Sequence, residues 1–225
     1  LGGIALYGGA ESNSFLIFWR FVVVNEEQES QQLVLCPAPG WLLVCRGESV
    51  LQRRGILPGE LPEGLAEGAE TEVRQRARDF LGIPVEVIYC GEEPVCRESA
   101  RILAGGEFIP VHTDARINDV DYGIWSGRSI AELDRIGPGS LWERWKSNPA
   151  GLTCPKGGSF HHLWERCAEF LNEAGRVCEG MPGYVMVVAS PWPVAVMASL
   201  LEGRPPSEVR ELMPELLGVM AYPRR

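Results

Sequence analysis

At 225 residues, 45% hydrophobic and 23% charged, the chain has the size and make-up of one α/β domain, with or without an N-terminal extension. Its formal net charge of -9 excludes a broad nucleic-acid surface, which needs clustered Lys and Arg, and argues against adhesion to anionic membranes. No uncharged apolar run of about 18 residues occurs, so no membrane span is expected.

Residues 1–13 are Gly-rich and are expected to be poorly ordered. Phe15–Val24 and Gln32–Cys36 are apolar or β-branched runs separated by the polar stretch Asn25–Gln31, a hairpin pattern. Because the chain opens on Leu1 rather than Met, a targeting peptide removed ahead of it stays open. Pro37-Ala38-Pro39-Gly40 then breaks the chain. The division is therefore expected at residue 40, with an extension or hairpin at 1–40 and the main domain at 41–225.

From Trp41 the pattern alternates between strand and helix. Trp41–Val44 reads as a short buried strand, and Glu63–Leu81 as a helix ending before Gly82 and Pro84. Val85–Tyr89 is a second strand, Val95–Leu103 a helix and Phe108–Val111 a third strand. Ser129–Ile136 and Ser140–Ser147 read as short helices, the first with Ser129 as N-cap and Glu132 completing a capping box. Phe160–Val177 is a long amphipathic helix with Leu163, Cys167, Phe170 and Leu171 on one face. Tyr184–Ala189 is the most hydrophobic strand and leads into a helix at Val194–Leu201, and Val219–Tyr222 suits a last edge strand. The expected fold is a three-layer α/β domain, a mostly parallel sheet with helices on both faces. Ligands of such sheets bind beyond the carboxyl ends of the strands, so the loops after Val44, Tyr89 and Ala189 should converge. No internal repeat or low-complexity tract is present.

The seven cysteines, Cys36, Cys45, Cys90, Cys96, Cys154, Cys167 and Cys178, are odd in number and include no Cys-x-x-Cys pair. A zinc ribbon or thioredoxin-type site is not expected, and a reducing intracellular compartment is the simplest reading.

Four segments in order resemble the histidine phosphatase (phosphoglycerate mutase-like) superfamily. Leu43-Val44-Cys45-Arg46-Gly47-Glu48-Ser49 is similar to Leu-Val-Arg-His-Gly-Glu-Ser/Thr, and Glu98–Leu103 to the tail of Ser-x-x-x-Arg-Ala-x-x-Thr-Ala-x-x-Leu. Ile117–Gly127 follows Leu-x-Glu-x-x-x-Gly-x-Trp-Glu-Gly, and Val187–Ser190 stands where the family has Val-Val-Ser-His-Gly. Between them Pro155–Ser159 and Arg166 track a Pro-x-Gly-Glu-Ser loop and its helix. The resemblance spans residues 41 to 222 and implies a phosphoglycerate mutase-like fold. It also implies a phosphoryl-transfer site in which one histidine attacks, a second histidine and two arginines cradle phosphate, and an acid protonates the leaving group.

The implied site is degenerate. Arg46 stands at the nucleophile, Cys45 and Val95 at the two arginines, Ser190 at the second histidine and Gly158 at the loop glutamate. Asp119 alone, at the acid's place, keeps suitable chemistry. An arginine stays protonated and has no lone pair to attack with. The chain's histidines, His112, His161 and His162, fall on no catalytic position in any nearby register. Cys45 beside Arg46 suggests a thiolate, but no cysteine has the Arg six residues later that cysteine-dependent phosphatases use. Asp119 and Asp121 lack a third ligand, so no metal and no cofactor is expected. Arg46 is the candidate anion-binding residue, suited to a weak phosphate ligand. Trp192 with Pro191 and Pro193 is expected to narrow the mouth.

The expected role is that of a catalytically inactive family member with a binding, scaffold or regulatory function. Its partner would be another protein, or a second copy joined through the hairpin's edge. The alternatives are an enzyme of altered chemistry using Asp119 with Arg46, or a phosphometabolite sensor.

Overall fold

The computed structural model describes residues 39–59, 61–106 and 109–224; the expected hairpin lies outside them. In chain order the strands are β1 (Gly40–Cys45), β2 (Val85–Cys90), β3 (Val111–Thr113), β4 (Tyr184–Ala189) and β5 (Val219–Pro223). The helices are α1 (Val50–Arg53), α2 (Ala69–Ala77), α3 (Pro94–Leu103), α4 (Ile130–Asp134), α5 (Leu141–Ser147), α6 (Phe160–Val177) and α7 (Pro191–Glu202). They build one sheet of order β3-β2-β4-β1-β5, parallel except for β5, which runs antiparallel along β1.

The central strands β1 and β4 are buried at every residue, which is why both read as continuous apolar runs rather than alternating ones. Side chains leave a strand on alternate faces, and the two cores follow that period. Leu43, Val185 and Val187 pack with α5, α6 and α7. Leu42, Val44, Met186 and Val188 pack on the opposite face with Val73 of α2 and with Val95, Cys96, Ala100 and Leu103 of α3. The sheet is thus covered on both faces, as expected.

Helix α6 matches its expected range, with Phe160, Leu163, Cys167, Phe170 and Ala174 as its buried stripe. Ser159 caps it by accepting the His162 N–H at 3.0 Å. Replacing Ser159 with alanine is expected to cost about 1 kcal/mol of stability, read as a lower urea midpoint with unchanged slope.

Three boundaries and one cap differ from expectation. The segment before α2 is extended, not helical, because its backbone groups are used elsewhere. Glu63 O accepts from Val95 N, Gly64 O from Val50 N, and Ala66 N donates to Glu48 O. Strand β3 begins after Pro110, which has no N–H for a ladder but offers its carbonyl to Ile88 N. Helix α7 begins at Pro191, three residues earlier than expected, because the first turn of a helix needs no N–H from its prolines. Ser129 precedes α4 without a side-chain cap, so the expected capping box is not formed.

Candidate functional site

The carboxyl ends of β1, β2 and β4 lie level: Cys45 pairs with Ala189, and Cys90 with Val188. Both ladders run one step further, with Arg46 N–H on Ala189 O at 3.0 Å and Gly91 N–H on Val188 O at 3.2 Å. The three loops therefore do converge, and they bring Arg46 against Ser190 and the first turn of α3.

Arg46 is 3% exposed. Its Nε donates to Ser190 Oγ at 3.0 Å, and its Nη1 to Gly47 O and to Gln52 Oε1, both at 2.9 Å. Nη2 has no acceptor among the described residues, so it alone is free for an anion. Beside it, Gly47 N–H donates to Ser99 Oγ at 3.1 Å while the Ser99 hydroxyl donates to Val95 O at 2.7 Å. The loop after β1 is thereby stitched to the end of β4 and to α3.

Cys45 is fully buried, and that burial pushes its thiol up to about 12, outweighing the opposing pull of Arg46. At neutral pH it is an uncharged core group, not a nucleophile. Val95, 2% exposed in the first turn of α3, packs into the core rather than facing a ligand. Ser190 is buried at the start of α7, with its oxygen taken by Arg46 and the Cys96 thiol near it. Gly158 N–H donates to Asp121 O at 2.8 Å, and a Cβ there would meet Asp121 at ordinary contact distances of 3.6 Å or more. The loop thus has room for a side chain that this sequence does not supply.

Asp119 Oδ1 accepts Val120 N–H at 2.8 Å and the Tyr122 hydroxyl at 3.4 Å. Protein atoms crowd its carboxyl. That desolvation, reinforced by the charge of Glu93, pushes its pKa up to about 6. The Val120 hydrogen bond and the charges of Arg46 and Arg166 act the other way without cancelling it. Asp121 instead serves its own turn, accepting Gly123 N–H at 2.8 Å. Among the described residues no group of three or more His, Cys, Asp or Glu is arranged to hold a metal ion.

None of the histidines joins this cluster. His112 lies exposed on the outer strand β3, its ring 5.7 Å from that of Tyr89. His161 and His162 are exposed on the first turn of α6, where His161 Nε2 lies 3.2 Å from Glu165. Trp192 packs edge-on against Trp145 and Phe160, with centroids 6.2 and 6.0 Å away, inside the helical layer.

Four residues join the site without having been singled out. Gln52 and Ser99 hold the loop after β1, Tyr122 reaches Asp119, and Glu93 accepts Asp119 N–H at 2.5 Å. Ser99 stands at the motif's threonine, a usable signal; Gln52 and Glu93 have none in the sequence. Arg166, which the motif did flag, donates from α6 to the carbonyls of Ala115, Arg116 and Asp119 at 3.2, 2.7 and 2.7 Å.

The profile of the histidine phosphatase superfamily (branch 1) matches residues 41–221. Phosphoserine phosphatase 1 of Hydrogenobacter thermophilus is 26% identical over 132 residues, 59% of this chain and 62% of that protein. The chain thus spans less than two thirds of the curated relatives it matches. Among solved structures, mycobacterial hydrolase 1 superposes with a TM-score of 0.74 at 18% identity, covering 82% of this chain and 88% of its own. Mycobacterial glucosyl-3-phosphoglycerate phosphatase does so with a TM-score of 0.72 at 17% identity, covering 81% and 88%. At such identities these two likenesses concern the fold.

Proposed function

We propose, from the premise that the chain belongs to branch 1 of the histidine phosphatase superfamily, that it no longer transfers phosphoryl groups by that family's mechanism and acts by binding. One observation carries this reading. The two positions where the resemblance implies histidines hold Arg46 and Ser190, joined to each other by a 3.0 Å hydrogen bond. A guanidinium has no lone pair with which to attack phosphorus. A serine needs a base to take its proton, and the side chain bonded to Ser190 is a guanidinium, with the Cys96 thiol near it. Burial holds that thiol far above its ordinary value, so it is not a base at neutral pH.

The binding role rests with the surface and with residues 1–40, proposed as an extension that contacts another protein or a second copy of the chain. The net charge of -9 suits a partner other than nucleic acid. Among the described residues no helix is long and apolar enough to cross a membrane. The six described cysteines are free and buried, which supports a reducing compartment.

A phosphate-sensing role is the second reading, favoured by the free Nη2 of Arg46 alone. Phosphate release from phosphoserine, glucosyl-3-phosphoglycerate and simple phosphomonoesters separates these readings when followed beside melting-temperature shifts. The expected result is no release and no shift with phosphate. A shift lost in Arg46→Ala, without release, would favour the sensor. Release that survives removal of contaminating phosphatase and disappears in Asp119→Asn would overturn the proposal.

A further inference from the structure

We propose that Asp119 and Glu93 share one proton, and that this proton clamps the loop after β3 onto the start of α3. Glu93, immediately before α3, turns Oε1 to the Asp119 N–H at 2.5 Å, while its Oε2 is buried with no hydrogen-bond partner among the described residues. The neighbouring residues tie the same two segments: Glu92 N–H donates to Asn118 Oδ1 at 2.7 Å, and Asn118 Nδ2 to Glu92 Oε2 at 3.4 Å. From the other side Arg166 grips the loop through three carbonyls. The loop is thus pressed between α6 and α3, and where it touches α3 the Glu93 carboxylate holds the Asp119 backbone, close enough for its charge to act on the Asp119 carboxyl.

Every group facing the pair has another task. Arg46, from the loop after β1, spends Nε and Nη1 on Ser190, Gly47 and Gln52. Arg166, from α6, bonds backbone carbonyls rather than either carboxylate. Tyr122, on the loop itself, is held neutral by burial, and so are the thiols of Cys45, Cys154 and Cys167 that face Asp119. The Cys90 and Cys96 thiols facing Glu93 are likewise raised by burial. Among the described residues no guanidinium is bonded to either carboxylate and the buried acceptor lacks a donor, so two negative charges repel, which is an expensive arrangement. A proton taken from solvent onto Asp119 removes the repulsion and supplies an O–H donor that Glu93 Oε2 can accept. The upward shift of Asp119 to about 6 agrees with that assignment.

The sign follows from linkage. Because the folded pKa of Asp119 lies above its unfolded value, the native state binds the proton more tightly. Stability then rises as pH falls through about 6 toward about 4 and is lost again on the way up. Asp114 and Asp134, lowered by their basic and hydrogen-bonding neighbours, oppose this only below the ordinary carboxylate range.

The test is the melting temperature of the protein at about pH 7.5 and about pH 5, beside the carboxyl carbon titration of Asp119 by NMR. The melting temperature is expected to rise by about 5 °C on acidification, with Asp119 titrating near 6. Asp119→Asn, whose amide can donate to Glu93 Oε2, should abolish the rise, and Glu93→Gln should lower the Asp119 pKa while leaving the part of its rise that comes from desolvation. A wild-type melting temperature flat or falling over this range, or Asp119 titrating as an ordinary carboxyl, would overturn the proposal. These readouts do not involve turnover, so the proposal stands or falls apart from the loss of catalysis.

Discussion

Gly123→Ala is expected to destabilise the protein by about 3 kcal/mol or more, enough to consume much of an ordinary domain's stability. The backbone there has φ +55°, and an added Cβ would meet Pro155 O at 2.2 Å and Gly157 N at 2.6 Å. Neither neighbour can retreat. Ile124 N–H bonds Pro155 O at 3.0 Å, Gly158 N–H bonds Asp121 O at 2.8 Å, and a Cβ on Gly157 would itself strike Asp121 O at 2.4 Å. The loop carrying Asp119 and the loop carrying Gly158 are therefore stacked backbone to backbone, with glycine on both sides. Gly137→Ala is the control: φ is +92° there, but nothing among the described residues lies within 4 Å, so only the backbone term of about 1 kcal/mol is lost. Denaturant midpoints of the two variants should differ accordingly.

Arg46→Ala is the second large effect, with an expected loss of about 3 kcal/mol on the scale of breaking a buried charge network. The substitution leaves Ser190 Oγ, Gln52 Oε1 and Gly47 O without their donor. It also removes one of the positive charges that hold down the pKa of Asp119. The carboxyl of Asp119 should consequently titrate still higher in the variant. Combining Arg46→Ala with Asp119→Asn should cost less than the two single changes added together, because the unpaired negative charge is gone. Additive losses in a double-mutant cycle would mean that Arg46 is a packing group only.

Much of this architecture was legible in advance because its strands and main helix are set by burial. β1, β2, β4 and α6 are long apolar or amphipathic runs, and each fell within a residue of its expected bounds. The segment at 63–66 could not be read locally, since its charged residues suit a helix while its backbone is claimed by residues 48, 50 and 95. Such long-range hydrogen bonds leave no mark on composition. The prolines of α7 carried a misleading signal, as they break helices everywhere except in the first turn. In the site, motif order located Arg46, Ser190 and Asp119 at one end of the sheet. The inertness of Cys45 depends on its complete burial, which the adjacent Arg46 made appear less decisive than it is. Glu93 was invisible because nothing about a glutamate before a Pro-initiated helix announces that its carboxylate holds the backbone N–H of Asp119.

The loss of phosphoryl transfer is tested most directly by trapping the covalent intermediate. The intact protein is incubated with phosphoserine, quenched within one turnover time under alkaline conditions that preserve phosphohistidine, and its mass measured. The mechanism attributed to the family passes through a phosphorylated side chain, whereas Arg46 and Ser190 as arranged here provide no activated nucleophile to carry one. The account predicts the unmodified mass at every time point, also when Asp119 is ionised and when it is protonated. A mass higher by one phosphoryl group, mapped to any residue of the loops after β1 or β4, would contradict it.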